Sequence, residues 1–205
     1  MAKRNPDNAS TADKRKTERQ MRIYFIAFFV LVGVLAVATF AFFELAPQTH
    51  QPAEATSLQT WQQWGMSIQY PSGLQAEYFG LNGQQADSAN GGVIWSWNSN
   101  RTLLGLQWFT VSSYNISAAF QGVYNSEQEG NVWNDITVTD QGNVSLDGST
   151  WQYQTSHALA GGEILYTTMA YIYYPSIQRA YGIIFSDSSP DTLSALEYYG
   201  NTFSG

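Results

Sequence analysis

No cysteine occurs anywhere in the chain. Disulfide-stapled folds, thiol catalysis and cysteine-based zinc sites are thereby excluded. Lysine is nearly as restricted, with none after Lys16, and beyond Arg22 the only cationic side chains are Arg101 and Arg179. A P-loop needs a lysine for its phosphates, so Gly91-Gly92 and Gly161-Gly162 are not phosphate loops. Two arginines cannot build the basic patch that nucleic acid requires, and nucleic acid is not expected as a partner. Histidine is scarce too, with only His50 and His157. General-base chemistry near neutral pH draws most often on histidine, and no Gly-x-Ser-x-Gly elbow presents a serine. His50 sits in a proline-containing linker. His157 is in phase with Trp151, Tyr153 and Leu159, which reads as a structural histidine on an apolar strand face. Asp140, Asp147, Asp187 and Asp191 fall in expected loops, but none forms an Asp-x-Asp-x-Asp-Gly calcium pattern. Turn formation and helix capping account for them, and neither a metal nor any other cofactor is expected.

What the chain does have is sharply divided. Residues Ile23 to Phe43 carry no charge and no proline, although the mean hydropathy of the whole chain is only -0.25. As a helix, 21 such residues span about 31 Å, enough for the hydrocarbon core of a bilayer. Before this segment stand seven basic side chains (Lys3, Arg4, Lys14, Arg15, Lys16, Arg19, Arg22) against three acids, a balance of +4. After it, 13 acids face two arginines, a balance of −11. The basic flank is expected to stay inside and the acidic remainder to be exported. The apolar run is longer than a signal-peptide core and ends in Phe40, Phe42 and Phe43 instead of a small-x-small site, so it reads as an uncleaved anchor. A domain of roughly 150 residues can hold together without disulfides, and their absence points to a prokaryotic cell surface.

Four segments follow from this division: residues 1–22 as a cytoplasmic basic tail, 23–43 as a transmembrane helix, 44–60 as a stalk, and 61–205 as an extracytoplasmic domain. The stalk holds Pro47 and Pro52 and no Phe, Tyr or Trp, whereas all seven tryptophans lie from Trp61 onward. Within the domain, Met66 to Tyr70 reads as a strand stopped by Pro71-Ser-Gly73. Val93 to Trp97 and Leu103 to Val111 flank a turn at Asn98 to Arg101. The second of these is apolar on both alternating faces, as in a strand covered on both sides. Ile136 to Thr139 and Asn143 to Leu146 read as a hairpin about Asp140-Gln-Gly142. Trp151 to Leu159, Glu163 to Tyr174 and Arg179 to Ser186 form a further group. Ile116, Phe120, Val123 and Tyr124 mark one helix face. A last helix is expected with Ser189 as N-cap, Pro190 first and Asp191 in the first turn, its face made by Leu193, Leu196, Gly200 and Phe203. The fold class is α+β: one N-terminal transmembrane helix, then an antiparallel sheet with packed helices.

The opening Gly65-Met-Ser-Ile-Gln-Tyr-Pro-Ser-Gly73 and the closing Leu193 to Phe203 resemble the first strand and the terminal helix of the PsbP-like superfamily, named for an extrinsic subunit of photosystem II. Leu74 stands where that family commonly has tryptophan. The resemblance covers about Trp61 to Phe203. It implies a layered accessory or protein-interaction module with no shared catalytic residues to carry over.

The expected function is accordingly a membrane-anchored, non-catalytic domain that meets another envelope protein. A cell-surface glycan-binding domain using exposed aromatics is the alternative, with Trp95, Trp97, Tyr171 and Tyr173 as its candidate surface; a hydrolase is the third reading. Asn100, Asn115 and Asn143 head glycosylation sequons in the exported part, each near an expected turn or helix start.

Overall fold

The computed structural model describes residues 57–80, 85–97, 102–129 and 133–205, with the backbone alone for Trp97, Ser126 and Glu129. The basic tail, the apolar segment 23–43 and most of the stalk lie outside the described residues. Among the described residues no helix is long and apolar enough to cross a membrane.

The frame is a seven-stranded antiparallel sheet. In chain order its strands are β3 (Ala76–Phe79), β4 (Asn90–Trp97), β5 (Thr102–Thr110), β6 (Asn134–Leu146), β7 (Ser149–Ala160), β8 (Glu163–Tyr174) and β9 (Arg179–Asp187). In space the order is β3-β4-β5-β9-β8-β7-β6. A separate hairpin, β1 (Leu58–Gln63) with β2 (Met66–Pro71), lies on one face together with helix α2 (Thr192–Gly200); helix α1 (Ile116–Glu129) covers the other.

Strand composition follows from this double cover. β5 and β9 lie centrally and are buried along nearly their whole length, and both read as continuous apolar runs. Their alternating side chains feed two cores. Trp95, Leu104, Leu106, Trp108, Trp151, Ile183 and Phe185 meet Trp61, Ile68, Leu196 and Phe203 on the hairpin side. Ile94, Leu103, Met169, Tyr171 and Ile184 meet Ala119, Phe120, Val123 and Tyr124 on the α1 side.

Two strand-level expectations are corrected. Asp140-Gln-Gly142 is not a turn, because β6 runs unbroken from Asn134 to Leu146 with a bulge between Val138 and Asp140. The Asp140 carboxylate accepts the Tyr153 hydroxyl at 2.8 Å and the Gln141 N–H at 2.8 Å, which fixes it to the strand beside it. The chain reverses at Asp147-Gly148, where both φ values are positive (47° and 72°), the pattern of a two-residue type I′ hairpin. The predicted stalk also gives up its last residues, since β1 begins at Leu58 and Ser57 already accepts the Ser72 N–H.

The terminal helix also starts later than Ser189. It spans Thr192–Gly200 with Asp191 at the N-cap and no side-chain capping bond. Asp187 instead takes the Ser188 hydroxyl and the Ser189 N–H, so residues 187–190 form a turn and Pro190 precedes the cap. The expected inner face is otherwise as read: Leu196 is fully buried, Phe203 is 3 % exposed and Gly200 lies against Leu146. Beyond the helix, Ser204 and Ser67 exchange two backbone hydrogen bonds, which joins the chain end to β2. α1 is capped by Asn115, whose side-chain oxygen accepts the Ala118 N–H at 3.1 Å.

Candidate functional site

The β1–β2 turn consists of Trp64 and Gly65, with φ of 51° and 80°. Gly65 adopts this left-handed geometry freely, whereas a tryptophan there costs about 1–3 kcal/mol and persists only where surroundings enforce it. The enforcing contacts are aromatic. The Trp64 ring lies 5.2 Å from Trp108 and meets Trp61 and Tyr78 edge-on, each at 6.3 Å. Trp61 donates its indole N–H to the Tyr78 hydroxyl at 2.8 Å, and Gln63 donates to the same oxygen at 3.0 Å. These bonds pin the hairpin tip to the edge strand β3. Trp108 and Trp61 are buried, while Trp64 is 37 % and Tyr78 44 % exposed, so the upper rings form an aromatic corner over a rigid floor.

Arg179 stands beside this corner as the only Lys or Arg side chain among the described residues. It opens β9 opposite Thr110, directly after Gln178, which is itself left-handed at φ 53°. Its guanidinium donates to the Ser88 carbonyl, to the Thr110 hydroxyl (3.3 Å) and to the Tyr181 hydroxyl (3.4 Å), and it lies 5.8 Å over the Tyr181 ring. All three acceptors are neutral. The cation is held in place but not neutralised by any described carboxylate.

A second polar feature lies under α1. Tyr171 crosses above Gly182, where an added Cβ would overlap the ring, and reaches Gln107 on β5 with a 3.5 Å hydrogen bond. The Gln107 amide nitrogen and the Tyr114 hydroxyl have no partner among the described residues, and the Tyr124 hydroxyl lies toward Ser156 without closing a hydrogen bond. Burial raises the Tyr171 and Tyr114 phenols well above their ordinary range, with Tyr171 adding to the rise at Tyr114 and Tyr124 to that at Tyr171. Glu127 projects from the same helix, 5 % exposed, and burial pushes its carboxyl up to about 8.

Of the four aromatics expected on one open surface, the three whose side chains are described are dispersed. Trp95 is fully buried under the hairpin, stacked with Tyr70 at 4.8 Å. Tyr171 is fully buried on the opposite face, and Tyr173 is half-buried with its hydroxyl on the Val111 carbonyl at 3.1 Å. The Trp97 side chain lies outside the described residues. The expectation fails because both faces of the sheet are covered, so sharing a strand face places a ring in a core. His157 is half-buried and edge-on to Tyr166, with ring centroids 6.0 Å apart. Asn115 and Asn143 are exposed, the first as the α1 cap and the second within β6 and not at a turn; Asn100 lies outside the described residues. No group of three His, Asp or Glu side chains able to hold a metal occurs among the described residues. In the sequence Trp61 and Trp64, near the membrane-proximal edge, are the aromatics least readily assigned to the core; the further signal of Trp64 is a Trp-Gly pair between two alternating runs, and that of Arg179 is its isolation in an acidic domain.

No family model and no curated protein matches the chain. Solved structures do. The solution structure of cyanobacterial PsbP (CyanoP) from Synechocystis sp. PCC 6803 aligns with a TM-score of 0.52 at 11 % identity, covering 78 % of this chain and 98 % of that one. A protein of unknown function from Pseudomonas aeruginosa aligns with a TM-score of 0.34 at 9 % identity, covering 69 % of this chain and 89 % of that one. The fold is PsbP-like: an antiparallel sheet domain with two helices, as the opening and closing segments of the sequence implied.

Proposed function

We propose that this chain is a non-catalytic accessory domain, held at the outer side of a membrane by residues 23–43, that docks onto another envelope protein through the Trp64 corner. The observation that carries this reading is Trp64 itself. A hairpin that needed only to turn would place Asn or Gly at this left-handed position. Instead a large ring is kept at the surface in a strained backbone by Trp61, Trp108 and Tyr78. Rigid aromatic anchors of this kind contribute most of the energy at protein interfaces.

Several features support an accessory role over catalysis. The PsbP-like fold is a scaffold on which function depends on the particular site, and this corner offers a platform without a nucleophile. His157 lies edge-on to a tyrosine ring, and no three His, Asp or Glu side chains gather as metal ligands among the described residues. The glycan reading loses its main residues with the burial of Trp95 and Tyr171. The test is a photo-crosslinking amino acid placed at exposed Gln62 in the full chain in its own membrane, with Ser145 on the far edge strand as control. A discrete adduct is expected from position 62, absent from 145 and lost with Trp64→Gly, which removes the ring and relieves the backbone. Equal adducts from both sites, or none from 62, contradict docking at this corner.

A further inference from the structure

We propose, building on the docking reading above, that the Trp64 corner recognises an acidic peptide segment, with an apolar side chain on the exposed indole and a neighbouring carboxylate on Arg179. The two groups are joined through Trp108. The Trp64 ring lies on Trp108, which donates its indole N–H to the Asp87 carbonyl, and Arg179 donates to the carbonyl of the next residue, Ser88. The ring beneath Trp64 and the guanidinium therefore hold adjacent carbonyls of one turn, and a short extended segment crossing that turn can meet both groups.

The chemistry selects the class of partner. An indole face accepts apolar, proline or aromatic side chains. A guanidinium forms its strongest contacts with carboxylates and phosphates, and Arg179 spends its described bonds on a carbonyl and two hydroxyls, leaving its charge uncompensated. Its orientation is already fixed by those bonds, so little rotamer entropy is lost on pairing. The acid nearest in sequence to this contact is Asp87, and one of its oxygens is engaged by the Ala89 and Asn90 N–H groups in its own turn. Among the described residues Arg179 is the only Lys or Arg side chain, so an acidic segment finds its cationic partner here, and that single charge fixes its register.

The test uses the full chain in detergent micelles, with binding read by tryptophan fluorescence at low salt. The probes are an acetylated, amidated Pro-Phe-Glu-Glu peptide and its Pro-Phe-Gln-Gln isostere. The acidic peptide is expected to bind about tenfold more tightly, the scale of one charge-assisted contact, with the preference shrinking as salt rises. Arg179→Gln should abolish the preference, Arg179→Lys should keep part of it, and Trp64→Gly should weaken both peptides alike. Thermal melts of each variant separate lost binding from lost folding. Equal binding of the two peptides, or a preference that survives Arg179→Gln, overturns the acidic class but leaves Trp64-dependent docking standing. Binding of neither peptide overturns the proposal, and the position-62 crosslink then decides the docking reading separately. Selective binding of an oligogalacturonate in place of both peptides reassigns the site to acidic glycans and overturns the proposal as well.

Discussion

Glu127 makes the stability of this domain depend on pH in a direction opposite to that of an ion-paired carboxylate. Its side chain lies on the inner face of α1, 5 % exposed, and burial alone raises its carboxyl from 4.5 to about 8. Below pH 4.5 both the folded and unfolded chains hold the proton, and the group imposes no penalty. Between 4.5 and 8 the unfolded chain releases the proton while the folded one keeps it. Stability then falls by up to about 1.4 kcal/mol per pH unit. Above 8 both states are ionised and the fall stops. Over the whole interval from 4.5 to about 8 the loss reaches about 5 kcal/mol as an upper bound. That is comparable with the total stability of an ordinary domain. The assay is urea unfolding of residues 57–205, followed by tryptophan fluorescence at pH 5, 6.5, 8 and 9, for wild type and Glu127→Gln. The wild-type midpoint should drop from pH 5 to 8 and then level, while the glutamine protein lacks that component and is the more stable of the two at pH 8. Parallel curves for the two proteins would refute the reasoning, because their difference isolates this one carboxyl.

Two further substitutions test the packing on either face of the sheet. Leu196→Ala should cost about 2–5 kcal/mol, as expected for a fully buried leucine, while exposed Glu197→Ala should stay within about 0.5 kcal/mol; equal small effects in urea melts would mean that α2 does not close its core. Gly182→Ala places a Cβ inside the Tyr171 ring and should cost about 1–3 kcal/mol, whereas Gly105→Ala, whose nearest atom would be 3.7 Å away, should be nearly neutral. Comparable melting temperatures for the two glycine variants would show that the ring is not held over Gly182.

Much of the architecture was legible because burial writes itself into periodicity. β5 and β9 read as doubly covered strands from their unbroken apolar runs, and Phe120, Val123 and Tyr124 marked the inner face of α1. The reading failed where turn chemistry competed. Asp140-Gln-Gly142 has the composition of a turn, yet its aspartate is satisfied by Tyr153 and by the adjacent N–H, and the true reversal is the Asp-Gly pair at 147–148. Ser189-Pro190 has the composition of a helix start, but the Asp187 carboxylate draws the preceding residues into a turn of their own. The candidate site was the least legible part. Periodicity says that Trp95 and Trp97 share a face, but not that a hairpin and a helix cover that face. Nor does it say that the ring left exposed belongs to Trp64, in a conformation tryptophan rarely adopts.

An envelope accessory role requires the acidic domain to lie outside the membrane, and a topology measurement tests that most directly. Cysteine is absent from the chain, so a single introduced thiol is unambiguous. With cysteine placed at Ser57 or at Ser10, intact cells are treated with a membrane-impermeant thiol reagent. The +4 flank before the apolar segment predicts labelling at position 57 and none at position 10 until the cells are opened. Labelling at position 10 alone would place the aromatic corner in the cytoplasm and contradict an envelope accessory role.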